Sequence, residues 1–88
     1  MSVTAAQIEA ALRAALAPQA LDVVDDSHHH AGHAGALEGR HFSIRIVSPG
    51  FQGLARIARH RLVYDALRSL MPRGIHALAI DARVPDEP

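Results

Sequence analysis

Histidine is the residue type with which this chain could do chemistry: it has seven, and no cysteine beside them. Four stand within six positions, His28, His29, His30 and His33, in the run His28-His29-His30-Ala31-Gly32-His33-Ala34-Gly35. Neutral imidazole is a common ligand for zinc, copper, nickel and some iron centres, so this run could offer two ligands to one ion. It does not make a closed site by itself, because such sites take four ligands and commonly include thiolate or carboxylate. A solvated glycine-rich loop whose histidines bind nothing would read the same way. His76 is different in kind, since it leads the apolar segment His76-Ala77-Leu78-Ala79-Ile80. Strand parity puts it on the side of Leu78 and Ile80, either as a core histidine bonded to a carbonyl or as an exposed ligand at the sheet's edge. His60 sits within Arg59-His60-Arg61-Leu62-Val63-Tyr64 and is expected to be a half-buried imidazole joining helix to sheet.

Other patterns carry less. Arg59 and Arg61 lie about 100° to either side of His60 on a helix, so they are expected on opposite flanks, solvated or paired with acids such as Asp65. Tyr64 should pack its ring and leave its hydroxyl at the surface. Gly50-Phe51-Gln52-Gly53 has the four-residue form that clamps a nucleic-acid backbone in KH domains, but it carries no basic residue between its glycines. No nucleophile with a base, phosphate loop or pair of catalytic carboxylates is recognisable, so no enzymatic activity is expected.

The elements that must position these groups follow from periodicity. Leu54, Ile57, Ala58, Val63, Ala66, Leu67, Leu70 and Met71 form one apolar stripe, predicting a long helix over Leu54–Met71 between Gly53 and Pro72. Thr4 and Gln7 have the form of a capping box, followed by Ile8, Ala11, Leu12, Ala15 and Leu16, so a first helix runs from Thr4 to about Ala17, where Pro18 stops it. Leu21–Asp25 reads as a short strand. His41–Ser48 alternates cleanly, with Phe42, Ile44 and Ile46 on one side and His41, Ser43 and Arg45 on the other. A last strand covers His76–Val84. Ser27–Gly39 is expected to be a long mobile loop, and residues 85–88 a frayed tail. The order αββαβ predicts an α+β fold: a three-stranded mixed sheet with both helices on one face. The first two strands should pair antiparallel, and the second and third parallel across a right-handed crossover.

Length and composition bound the function. Residues 1–88 suffice for a single domain, which at this size buries only about 60–65% of its unfolded surface. Net charge is zero with neutral histidines, which counts against a generally basic protein that coats nucleic acid. All nine basic residues are arginine. Met1–Thr4 lacks the form of a signal peptide, and no apolar run approaches the ~20 residues of a membrane span, so the expected location is cytoplasmic with no membrane partner.

Taken together, the motifs resemble the BolA family. The resemblance rests on Val24-Asp25-Asp26-Ser27, His41-Phe42, Val47-Ser48, Phe51-Gln52-Gly53, Arg59-His60-Arg61-Leu62-Val63-Tyr64 and His76-Ala77-Leu78-Ala79-Ile80, in family order from Ala17 to Pro85. Two departures are visible: Arg40 stands where many members have a small hydroxyl residue, and Glu87-Pro88 ends the chain without the aromatic that many carry. The resemblance implies a fold similar to type II KH domains. It also implies partnership with a monothiol glutaredoxin and glutathione, sharing a bridged [2Fe-2S] cluster in iron–sulfur trafficking or iron homeostasis. By position, the family's strand histidine is His76 and its loop ligand falls on His30, with His33 as second candidate. Imidazoles replace two thiolates on one iron in Rieske centres, so a thiol-free chain would supply half a site and its partner the rest. No cluster would then be held tightly by the isolated chain, which is expected to be a monomer or weak homodimer. Ligation should fade below roughly pH 6, since imidazole must lose its proton and its reference pKa is about 6.5. The alternative implied by the family is a DNA-binding transcriptional regulator using the KH-like face, with Gly50 and Gly53 near the backbone and Arg56, Arg59 and Arg61 on phosphates.

Overall fold

The computed structural model describes residues 3–26 and 40–86. The histidine-rich segment 27–39, expected as a mobile loop, lies outside the described residues, and so do His30 and His33. Three strands, β1 (Ala20–Asp25), β2 (Arg40–Val47) and β3 (Ile75–Arg83), form one sheet in the order β1-β2-β3. β1 and β2 are antiparallel and β2 and β3 parallel, as the element order predicts.

The first helix, α1 (Ala5–Leu16), begins where its cap dictates. Thr4 Oγ1 accepts from the Gln7 amide at 3.2 Å, and Gln7 Oε1 accepts from the Thr4 amide at 2.9 Å. Ile8 and Leu12 are fully buried, and Ala17 turns left-handed at φ 44° before Pro18. The last carbonyl of the helix, that of Leu16, accepts the hydroxyl of Ser48 at 2.7 Å. Ser48 Oγ also accepts the Gly50 amide and so starts the short 3₁₀ turn Pro49–Phe51, whose Phe51 is completely buried. One buried hydroxyl thereby ties the end of α1 to the turn after β2.

The second helix, α2 (Arg56–Ala66), is shorter than the stretch Leu54–Met71 predicted for it. Beyond Ala66 the bonding tightens, with Leu70 N–H donating to Leu67 O at 2.8 Å and Arg73 N–H to Leu70 O at 2.9 Å. Pro72, which has no amide hydrogen and disfavours helix at the residue before it, keeps the helix from running on past Met71. Its apolar stripe also holds only in part. Val63, Leu67 and Leu70 are buried, whereas Ile57 is 62% exposed. Ile57 lies about 120° around the helix from Val63, so its spacing belongs to a different face.

Ile8 and Leu12 of α1, Val63 of α2 and Leu67 just past its end join Phe42, Ile44 and Ile46 of β2 in one cluster, so both helices cover the same face of the sheet. Burying each such side chain contributes roughly 1.5–3 kcal/mol. The opposite face carries His41, Ser43 and Arg45 of β2, with no described helix over it. No described helix is long and apolar enough to cross a membrane.

Candidate functional site

His76 stands on that open face. The pairing steps from Arg40↔Ile75 to His41↔Ala77, so β3 spends two residues where β2 spends one, and the extra residue is His76. A bulge of this kind re-aims a side chain. The parity that placed His76 with Leu78 and Ile80 therefore does not apply to it. Its ring lies against that of His41, with centres 5.1 Å apart and planes tilted by 35°. His41 is half-buried and His76 exposed. The reading of His76 as a core histidine is thus corrected, and its reading as an exposed imidazole at the start of a strand holds.

The surroundings are polar and ordered. The Asp26 amide donates to the His41 carbonyl at 2.8 Å, and Ser43 donates its hydroxyl to Asp26. Arg40 pairs with Asp25 at 2.7 Å, and its amide bonds the Gly74 carbonyl at 2.8 Å. Both described ends of the segment 27–39, Asp26 and Arg40, are therefore fixed beside the strand positions that carry His41 and His76. His41 was not singled out as a site residue from the sequence. Its pairing with His76 depends on a register that only the bulge sets.

A second polar region lies between the N-terminal half of α2 and β3. It is a groove of about 530 Å³ lined by Arg56, Arg59 and His60 from the helix and Ile80–Arg83 from the strand. Arg59 and His60 are half-buried in line with Val63, where the stripe predicted apolar groups, while Arg56 is exposed at the groove's rim. Arg59 does not stand solvated on a flank, as expected. It is half-buried, with Nε donating to Leu54 O at 2.9 Å and Nη1 to Ala82 O at 3.1 Å. Asp65 bonds Arg68 instead, at 3.0 Å. Asp81 lies between Arg83 at 2.8 Å and Arg45 at 3.7 Å. The hydrogen bond from Arg83 holds its carboxyl below the ordinary value of 3.8, against an opposing cost of burial and with help from the charges of Arg83, Arg45 and Arg56.

Of the residues expected to contact nucleic acid, Arg56 and Arg61 are exposed, Gly50 has its amide bound by Ser48, and Gly53 turns at φ 77°. His60 is half-buried and faces β3, as its position on the stripe's border predicts.

A family model for BolA-like proteins matches residues 12–87. The chain belongs to the BolA family. Among similar proteins, one from Sinorhizobium, described as an uncharacterized protein in the cobS 5′ region, is 42% identical over 84 residues, covering 92% of this chain and 90% of that one. Chloroplastic BOLA1 of Arabidopsis thaliana is 43% identical over 88 residues; the match covers 94% of this chain and 54% of that protein, so the chain spans about half its length. The solved structure of Arabidopsis BolA1 superposes with a TM-score of 0.82 at 40% identity, covering 100% of this chain and 99% of that one. The BolA domain of Arabidopsis SufE1 gives 0.82 at 44% identity, with 97% and 95% covered. The BolA fold is thus shared over nearly the whole chain.

Proposed function

We propose that this BolA-family chain is a non-enzymatic adaptor of the cytoplasm. It would share a bridged [2Fe-2S] cluster with a monothiol glutaredoxin and glutathione, His76 and a histidine of segment 27–39 being its two ligands. The observation that carries the reading is the exposure of His76 on the open sheet face, beside the two fixed ends of the histidine-rich segment. Adjacent strands are about 4.8 Å apart, so Asp26 on the β1 side stands roughly 10 Å from β3 at His76. His30 is four residues beyond Asp26, and four residues reach about 13 Å when extended, so the distance is within its span. His30 is the first choice and His33 the second. Without cysteine, the chain supplies imidazoles only, and the thiols must come from partner and glutathione.

The test is to mix the protein with a monothiol glutaredoxin, glutathione, iron and sulfide and to record visible absorption and circular dichroism. The expected result is a mixed-ligand cluster spectrum that His76→Ala abolishes while the fold is kept. An unchanged spectrum and lifetime with His76→Ala would refute the ligand assignment.

The DNA-binding alternative is weaker, because Arg59 and the Gly50 amide already hold partners within the chain.

A further inference from the structure

We infer that His41 and His76 together form a divalent-metal site of the isolated chain, of the zinc or copper class, on the open face of the sheet. The two rings come from neighbouring strands and are brought together by the bulge, with centres 5.1 Å apart. That separation is what one ion demands. A zinc–nitrogen bond of about 2.05 Å plus roughly 1.15 Å from nitrogen to ring centre puts each centre about 3.2 Å from the ion; at the tetrahedral angle the two centres are then about 5.2 Å apart. The ion fixes the directions of its bonds and leaves each ring to turn about its own bond, so a tilt of 35° is compatible.

The donor set names the ligand class. Imidazole suits zinc, copper and nickel, whereas calcium and magnesium require oxygen donors. Among the described residues no cluster of three or more histidine and carboxylate groups is present, so the pair leaves coordination positions for water or for a group from a partner. Those open positions distinguish the site from the four-ligand closure of a structural one. One consequence rests on the adaptor reading above: an ion held by His41 and His76 occupies the imidazole that the cluster requires. Zinc and cluster sharing are then mutually exclusive.

The histidines at 28, 29, 30 and 33 would bind zinc as well, so the experiment uses the full chain with those four replaced by alanine. Zinc is titrated by calorimetry, and the imidazole nitrogen signals of His41 and His76 are followed by NMR. One ion per chain is expected, moving both rings at the same stoichiometry. His41→Ala and His76→Ala should each weaken binding by more than about tenfold, since removing even a group that merely orients a ligand costs on the order of 10–100-fold. His60→Ala should leave binding unchanged. The site is refuted if zinc moves only one of the two rings, if no saturable binding occurs, or if His60→Ala weakens binding as much as His41→Ala. The ring signals decide the matter without any substitution at His41, so a variant that fails to fold does not obscure the result. The two readings fail separately. Cluster sharing that survives His76→Ala removes His76 as a cluster ligand and leaves the zinc site, whereas zinc binding that survives His41→Ala removes the site and leaves the adaptor.

Discussion

The open sheet face and the α2–β3 groove are both rich in cationic and imidazole side chains, yet they differ in what those side chains are bound to. In the groove, Arg59 is bonded to two backbone carbonyls and Arg83 to Asp81. On the open face, His76 is exposed and its described neighbour is another imidazole. The groove has the composition of an anion site and the bonding of a structural joint. A count of charged residues would rank the groove first, and the bonding reverses that order.

The comparison breaks most directly if a single substitution affects the wrong property. His76→Ala is expected to abolish cluster sharing with a monothiol glutaredoxin and to leave the melting temperature nearly unchanged, since an exposed side chain contributes little to packing. A matching loss of stability, seen by thermal melting, would mean that His76 is structural. Arg59→Ala should do the reverse. Hydrogen bonds to a charged group contribute about 1.5–3 kcal/mol each way they are lost, so the variant should be destabilised by about that amount in urea unfolding while cluster sharing persists. Ser48→Ala should cost about 1–3 kcal/mol, because the Leu16 carbonyl and the Gly50 amide both lose a buried partner. His60→Ala should cost less, with no change in metal or cluster binding.

The smallest effect concerns acid. Because the folded state lowers the Asp81 carboxyl below 3.8, its ionised form stabilises the protein above that value, and the contribution disappears as pH falls through the lower folded value. Asp81→Asn should therefore melt slightly below the parent protein at pH 6, by a smaller margin at pH 2.5. Equal differences at both pH values would show that the ion pairs around Asp81 contribute nothing.

Much of the framework was legible because local rules and tertiary packing agree. Thr4 and Gln7 announce the start of α1, and the alternation of Phe42, Ile44 and Ile46 fixes which side of β2 is buried. The family motifs were legible too, since they are runs of adjacent residues. The orientation of His76 was not, because parity presumes an unbroken strand and the bulge is a property of two strands in register. The phase of α2 was misread for a related reason. Ile57 is apolar and exposed while Arg59 is charged and half-buried, so residue type and burial part company where the helix begins. Arg59 can face inward because backbone carbonyls receive it, and no periodicity reports a carbonyl.

Arg59 also bears on how this protein behaves at high concentration. β3 is nine residues long and forms an outer edge of the described sheet, the geometry most exposed to pairing with a strand from another molecule. The guanidinium laid across to Ala82 O occupies one of the acceptors that an incoming strand would need and places a positive charge beside the C-terminal half of the strand. The same bond that joins helix to sheet thus works as a guard against edge-to-edge self-association. Its loss would leave that acceptor open to a strand from another molecule.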